Sequence, residues 1–437
     1  MRKYGFRWKF FIGLILLHFL FLCPGLAAQP LSFEKITLEN GLRVYYQQDS
    51  EIKYTTVVFH FQGGQTLERP GQSGLAYLTT RLMAEVPEED RLLELLANGV
   101  NLNGGSRADY SAIQFECLSP HLERTLGTVA AGIRNPIFSG PRIDALKRAL
   151  RKQSRLESCR LIDTGLILLR RQIFPGSPYG QSIYGFESDL ASISRKDIRQ
   201  FYENAVNAFC LSLLVITDLK KKTVLEMISR SFSWLKKERS PSREEPVASD
   251  AAARASEENA LYQGPPGASV ILGYVLPGEA ARIYPAAYVL EKIIGQGPGS
   301  LLWSLRQEEA LAYNLNCRLE LLGAKTIFIC YLETEEDKAE TALNLLKKKF
   351  ALWSQHGLEP EIVEAGRRQA RTSYLRESLY RDNRLSFLST LLASGLDVDF
   401  YNGFLDSIEK INPTELNQLV RSAFEPGRAF EVLLIKK

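Results

Sequence analysis

Short runs rich in β-branched and aromatic residues alternate along this chain with longer stretches whose apolar positions recur at helical spacing, and the sequence of such elements occurs twice. In the first half, ITLENGLRVYYQQ predicts a hairpin turning at Asn40 and Gly41, and TTVVFHFQGG a buried strand. A helix is predicted from Gly74, a strand over YSAIQFECL, and helices over HLERTLGTVAAGIRNP and SGPRIDALKRALRKQSRLESCR. The half closes with a helical DIRQFYENAV and the strand FCLSLLVITD.

After a Ser-, Pro- and charge-rich stretch the order resumes: strand VILGYVLPG, helix AARIYPAAYVLEKIIG, a Gly-Pro break, helix SLLWSLRQEEA, strands AYNLNCRLELL and TIFICYLE, two long helices and the strand AFEVLLIKK. Thr334 with Asp337 predicts an N-terminal cap for the first long helix, and Gly357 its C-terminal stop. The repeated order implies an internal duplication, although residue identity between the halves is faint. The expected fold class is α+β: two homologous α/β sandwich repeats, each a largely antiparallel sheet with helices on one face, joined by a linker. The expected boundaries are 1–28 for a leader, 29–235 for the first repeat, 236–269 for a solvated linker and 270–437 for the second repeat.

Composition narrows the classes. The chain has 437 residues, 45% of them hydrophobic, which suits more than one core, and its formal net charge of +4 carries no nucleic-acid footprint. Arg2, Lys3, Arg7 and Lys9 precede the apolar run FFIGLILLHFLFL and then CPGLAAQP. A charged start, a short apolar middle and a small-residue end predict a secretory signal cleaved near Ala27 or Ala28, leaving no stable membrane span. The apolar run falls short of the roughly 20 residues a spanning helix needs, so a membrane anchor is the lesser alternative, as is a lipid on Cys23, which follows the large Leu22. Cys117, Cys159, Cys210, Cys317 and Cys330 lie downstream of the leader without CxxC spacing. Buried free thiols are the plainer reading; one bridge is possible, but spacing does not assign it.

Several phrases carry a joint signal: NGLRVYY, GGQTLERPGQSGLA, GVNLNGGSRADYS, FPGSPYGQSIYGFESDLASISRKDIRQFY, VITD and SLLWSLRQEEALAY. Together they resemble the pitrilysin/insulinase peptidase family, in particular its small two-domain, mitochondrial-processing-peptidase-like branch, and the resemblance runs from about Phe33 to the end. It implies a metallopeptidase-like fold and, after Gly-Leu-Ala, a helix carrying His-x-x-Glu-His. Those positions share one helix face, so two imidazoles could hold zinc beside a carboxylate that activates water. In this chain they are Tyr77, Thr80 and Arg81: a phenol, an alcohol and a permanent cation. Leu75, Leu78 and Leu82 keep the spacing of a core-facing stripe.

The resemblance also implies a glutamate ligand further along, and Glu157 in SRLESC falls at the corresponding distance; alone beside Arg81 it is expected to form an ion pair. His60, His121 and His356 are isolated and are read as satisfied surface or core histidines. No zinc is therefore expected in this chain. The resemblance implies a substrate-holding arginine and tyrosine in the second repeat, and Arg306 and Tyr313 in LRQEEALAY match by type and spacing, with Ala310 where the family has glycine. The alternative for this pair is a solvated helix arginine and a core tyrosine. Asn103 aligns with the family's asparagine on a strand edge that could take an extended peptide by β-addition; a plain β-turn would look the same in sequence.

These readings predict a non-catalytic subunit, secreted to a bacterial periplasm. It would complete a zinc site carried by a catalytic partner subunit and act on peptides or unfolded protein, with no nucleic acid involved. The alternative is a structural or peptide-binding protein of the same fold with no role in proteolysis. An unrelated enzyme would need a nucleophile or phosphate-cradling signature; GQGPGS from Gly295 supplies neither.

Overall fold

The computed structural model describes residues 32–86, 88–236, 247–248, 254–255, 262–295, 297–307 and 311–436. The signal expected at 1–28 and most of the expected linker lie outside these residues. Among the described residues no helix is long and apolar enough to cross a membrane.

Chain order in the first half is β1 (Glu34–Thr37), β2 (Arg43–Gln48), β3 (Tyr54–Gln62), α1 (Leu75–Met83), α2 (Glu89–Ala97), β4 (Asn101–Ser106) and β5 (Tyr110–Leu118). There follow α3 (Leu122–Arg134), α4 (Gly140–Ser158), α5 (Leu161–Ile173), α6 (Glu187–Ser192), α7 (Arg195–Ala205), β6 (Leu211–Thr217) and α8 (Lys221–Ser231). The second half holds β7 (Arg254–Ala255), β8 (Gly267–Val275), α9 (Ala280–Ile294), α10 (Ser304–Gln307), β9 (Asn314–Leu322) and β10 (Lys325–Thr334). It ends with α11 (Ala339–His356), α12 (Pro360–Glu377), α13 (Arg381–Ala393), α14 (Val398–Asn402), α15 (Phe404–Lys410), α16 (Pro413–Ala423) and β11 (Phe430–Lys436).

The duplication is visible in the sheets. The first is ordered β1-β2-β6-β3-β5-β4 and the second β7-β11-β8-β10-β9. Position for position, β6, β3, β5 and β4 correspond to β11, β8, β10 and β9. All neighbouring pairs in that shared core are antiparallel, and each sheet adds a parallel strand at the same place, β2 on β6 and β7 on β11. Alternation along the strands gives each sheet two apolar faces.

Each repeat's own helices cover one face of its sheet, as expected, and the opposite face is covered by a helix of the other repeat. One face of the first sheet (Val44, Val57, Phe59, Phe61, Phe115, Leu213) packs on α3 and α8 of its own half. Its other face, with Tyr45, Val58 and Leu214, shares a core with Leu385, Leu388 and Leu391 of α13, from the second half. The second sheet mirrors this: Val270, Leu272 and Phe328 pack on α9, α11 and α16, while Ile271, Ile329 and Val432 meet Leu166, Leu169 and Ile173 of α5, from the first half. In each repeat the second member of a helix pair (α4–α5, α12–α13) crosses to cover the opposite repeat's sheet.

Buried polar groups pin the exchange. In α13, Arg384 Nη2 donates to Asp49 Oδ2 at 2.9 Å, Arg384 Nη1 to Gln47 Oε1 at 2.7 Å, and Arg381 Nε to Asp49 Oδ2 at 3.2 Å. On the other side Asp109 accepts from Tyr179 Oη at 2.7 Å and from the Gly323 amide of the β9–β10 turn at 3.0 Å. With Asp49 and Arg384 nearly inaccessible, such pairs fix orientation more surely than they add net stability.

Other expectations need correction. The end of the stretch assigned to a solvated linker is tied to the fold: Tyr262 is buried with its hydroxyl on the Pro265 carbonyl, and β8 begins at Gly267, while Gln263, Pro265 and Pro266 between them are exposed. Thr334 ends β10, and no side chain caps α11, whose N-cap is Lys338 after a 3-10 turn at Glu336–Lys338. Strand pairing takes the threonine because β10 continues against β8 to its last residue. Gly357 does end α11, at φ 78°. The helix expected over 300–310 is a turn followed by α10, with residues 308–310 outside the described set.

Candidate functional site

The apolar stripe of α1 places the site. Leu75, Leu78 and Leu82 join Ile143 and Leu150 of α4 and Ile198 and Phe201 of α7 in one cluster. Gly74 precedes the helix at φ 89°, and a Cβ there would lie 2.8 Å from the Tyr184 carbonyl oxygen, so glycine lets the chain enter against the Tyr184–Gly185 backbone. The buried Glu68 carboxylate accepts the Ala76 amide at 2.8 Å, placing an acid at the positive end of the helix.

The remaining face of α1 looks towards β4. Thr80 is fully buried and its hydroxyl donates to the Ala76 carbonyl one turn back, at 2.8 Å. Tyr77 packs its ring 5.2 Å from that of Tyr184 and against Gly105 of β4. Arg81 Nη1 donates to Asn103 Oδ1 at 2.7 Å, and the same oxygen accepts the Gly104 amide at 2.9 Å. The ion pair expected between Arg81 and Glu157 is not formed. Glu157 instead accepts from Ser182 Oγ, and burial raises its carboxyl above the ordinary range. A neutral amide on β4 lies nearer the guanidinium than the carboxylate does, and the short Ser182 hydroxyl reaches the carboxylate first.

These residues do not fit a zinc ion. One offers a phenol committed to an aromatic contact, one a hydroxyl turned into its own helix, and one a permanent cation whose charge opposes a metal at close range.

A cavity of about 490 Å³ opens beside this face, lined by Tyr77, Asn103, Arg107 and Tyr110 of the first half and by Asp382 and Ser386 of α13. A second, of about 520 Å³, shares Arg107, Tyr110, Tyr184 and Ser386 with it and extends to Glu157, Arg170, Arg318 and Glu320. In its wall Arg170 of α5 clasps Glu320 of β9 with two hydrogen bonds, of 2.8 and 2.6 Å, and Arg318 meets the same carboxylate. Burial and the charge of Arg170 lower the Arg318 pKa to about 10. The site is therefore a polar hollow built by both halves. The sequence reading missed Arg170, Arg318 and Glu320, although polar residues at 316, 318 and 320 alternate with apolar ones in NLNCRLELL and mark a second, polar face for β9.

β4 has a strand neighbour on one side only, so Asn103 does lie on an edge strand, and the residue is exposed. Arg306 and Tyr313 lie elsewhere. Arg306 is exposed on α10, its guanidinium 5.2 Å above the Trp303 ring. Tyr313 is 63% exposed; its hydroxyl donates to Glu335 Oε1 at 2.5 Å, and that bond raises its pKa. Neither lines either cavity, and no contact joins them among the described residues. Ala310 lies outside the described residues.

Comparison with known proteins gives the following. Residues 192–370 match the family described as Peptidase M16 inactive domain. Subunit 1 of the mitochondrial cytochrome b-c1 complex of Bos taurus is 24% identical over 202 residues, which make up 45% of this chain and 42% of that protein. The match thus spans less than half of the bovine protein's length. A protease from Helicobacter pylori superposes with a TM-score of 0.81 at 16% identity, over 93% of this chain and all of that one. A peptidase M16 inactive domain structure from Pseudomonas fluorescens gives 0.81 at 16% identity, over 92% and 97%. At these identities the two structures share the fold.

Proposed function

We propose that this chain, an inactive homologue of the M16 or pitrilysin-type peptidases, serves as the non-catalytic subunit of a heterodimeric zinc peptidase and helps hold peptide at a zinc site carried by its partner. The observation that carries this reading is the face of α1 that meets β4. The scaffold helix is retained and seated, while Tyr77, Thr80 and Arg81 offer nothing that would hold a metal or activate water. Beside it the fold keeps what substrate handling requires: an exposed edge on β4 that can hydrogen-bond an extended peptide, and a polar hollow alongside.

On this reading Arg306 and Tyr313, both exposed on the second half, face the partner's site once the subunits close, so their distance from the cavities of the single chain is expected. With residues 1–28 acting as an export signal, the complex works in the periplasm. The test is peptide turnover by an M16 partner with intact His-x-x-Glu-His, alone and with this chain added. Turnover should rise on addition, and Tyr313→Phe should remove the gain by roughly 10²-fold, the scale of losing one oxyanion donor. No rise over the partner alone would overturn the reading.

A purely structural role is the second reading, favoured by the likeness to a cytochrome b-c1 subunit. It predicts a stable complex in which Arg306→Ala and Tyr313→Phe leave every partner activity unchanged.

A further inference from the structure

Spacing along the chain left the cysteines unassigned, whereas the sheet pairs two of them. Cys317 of β9 stands directly opposite Cys330 of β10 in an unbroken antiparallel register that runs from the Lys325–Leu322 pair to the Glu333–Asn314 pair. Which kind of pair they form follows from the other side of β10. The Leu276 amide donates to the Thr326 carbonyl at 2.9 Å, so Thr326 turns its backbone groups towards β8. Backbone direction alternates along a strand, and both registers of β10 are free of bulges, so Cys330 also turns its backbone towards β8. Cys317 and Cys330 are therefore a non-hydrogen-bonded pair. Such pairs have Cα atoms about 4.5 Å apart and their side chains close together, within the window of about 4.4–6.8 Å that a disulfide spans.

Both side chains lie on the same face of the sheet as free thiols, at 2% and 0% exposure and in one apolar cluster. The end of α9 covers them, a Cβ on Gly295 falling 3.2 Å from Cys317 Cβ. Of the remaining cysteines downstream of the leader, Cys117 and Cys210 are buried in the first half and Cys159 is exposed.

We infer that Cys317 and Cys330 close into a disulfide when the chain folds in an oxidising compartment, forming a covalent rung between β9 and β10. Two S–H bonds break and one S–S bond forms; the S–S bond of a protein or small-molecule disulfide breaks in exchange, and its two sulfurs take up the two electrons and, through solvent, the two protons to give the dithiol. Because the folded pair is closed to such an oxidant, the bond forms before α9 seats over it, and afterwards the same cover shields it from reductants. The rung fixes the strand whose opposite face carries Arg318 and Glu320 into the central cavity and whose first residue follows Tyr313. The inference does not depend on the subunit role proposed above.

The test is peptide mapping of the full chain folded in reductase-deficient cells with an oxidising cytosol, with thiols blocked by N-ethylmaleimide during acid quench and unfolding. The expected result is one cross-linked peptide pair joining Cys317 and Cys330, lighter than the two free peptides by two hydrogen atoms. Cys117 and Cys210 should be alkylated in full. Folding in an ordinary reducing cytosol should give both thiols alkylated and a lower Tm than the oxidised chain. Cys317→Ala should abolish the cross-linked pair and leave Cys330 alkylated. Full alkylation of Cys317 and Cys330 in the oxidised, folded chain, or a disulfide joining either of them to a different cysteine, would overturn the inference.

Discussion

His60 shows how a single side chain couples the two halves. It lies on β3, fully buried, with Nε2 3.1 Å from the Ser389 carbonyl of α13 and its ring 5.1 Å from that of Tyr110. Burial lowers its pKa from 6.5 to about 4. A base whose folded pKa is depressed binds its proton more readily unfolded, so its stabilising share is complete above pH 6.5 and is lost as pH falls towards 4. The loss amounts to about 3 kcal/mol across that window. His60→Phe should flatten this part of the acid limb, which urea unfolding at pH 7 and at pH 4.5 would measure. The histidine was legible as a satisfied residue because it stood alone; its partner, 329 residues away on a helix the sequence had not shown, was not. Arg81 teaches the same lesson, since helical spacing gave its face but not the amide of Asn103 that meets it.

At the scale of elements, most strands of both sheets could be read because β-branched and aromatic runs bounded by turns have few other fates; β4, NLNGGS, has no such run and was expected only through the family resemblance, and β7 lies within the stretch read as linker. The helices that were missed are informative. In α5, LIDTGLILLRRQI, Thr164 through Leu169 are all buried and no residue of the helix is exposed, so its burial does not follow a one-sided stripe. Its contact with β8 depends on glycine: a Cβ on Gly273 would lie 2.7 and 2.9 Å from the Leu169 methyl carbons and 3.1 Å from its Cγ. Gly273→Val should therefore push α5 off the sheet and cost about 1–3 kcal/mol in urea unfolding, as overpacked cores do. Should stability be unchanged, the close seating of α5 on β8 would be wrong.

For the whole molecule, the duplication was legible from element order, and the shared strand order makes it a property of topology. Neither the interlocking of the repeats nor the polar hollow between them could be read, because both depend on which helix covers which sheet. That choice is made by contacts such as Arg384 with Asp49 and Asp109 with Gly323, far apart in sequence. The hollow is a consequence of the interlock: its walls come from α5, β9 and α13 together.

The crossing of α5 and α13 makes each repeat an unfinished object. Polypeptides 32–235 and 262–437, produced separately, would each bear a bare greasy sheet surface and a homeless helix, and should aggregate. Co-expressed, they should find one another and co-purify as a soluble pair, so a break between the repeats would turn one gene product into two obligate companions. If either fragment proved monomeric and cooperatively folded by itself, the mutual dependence claimed for the crossed helices would fail.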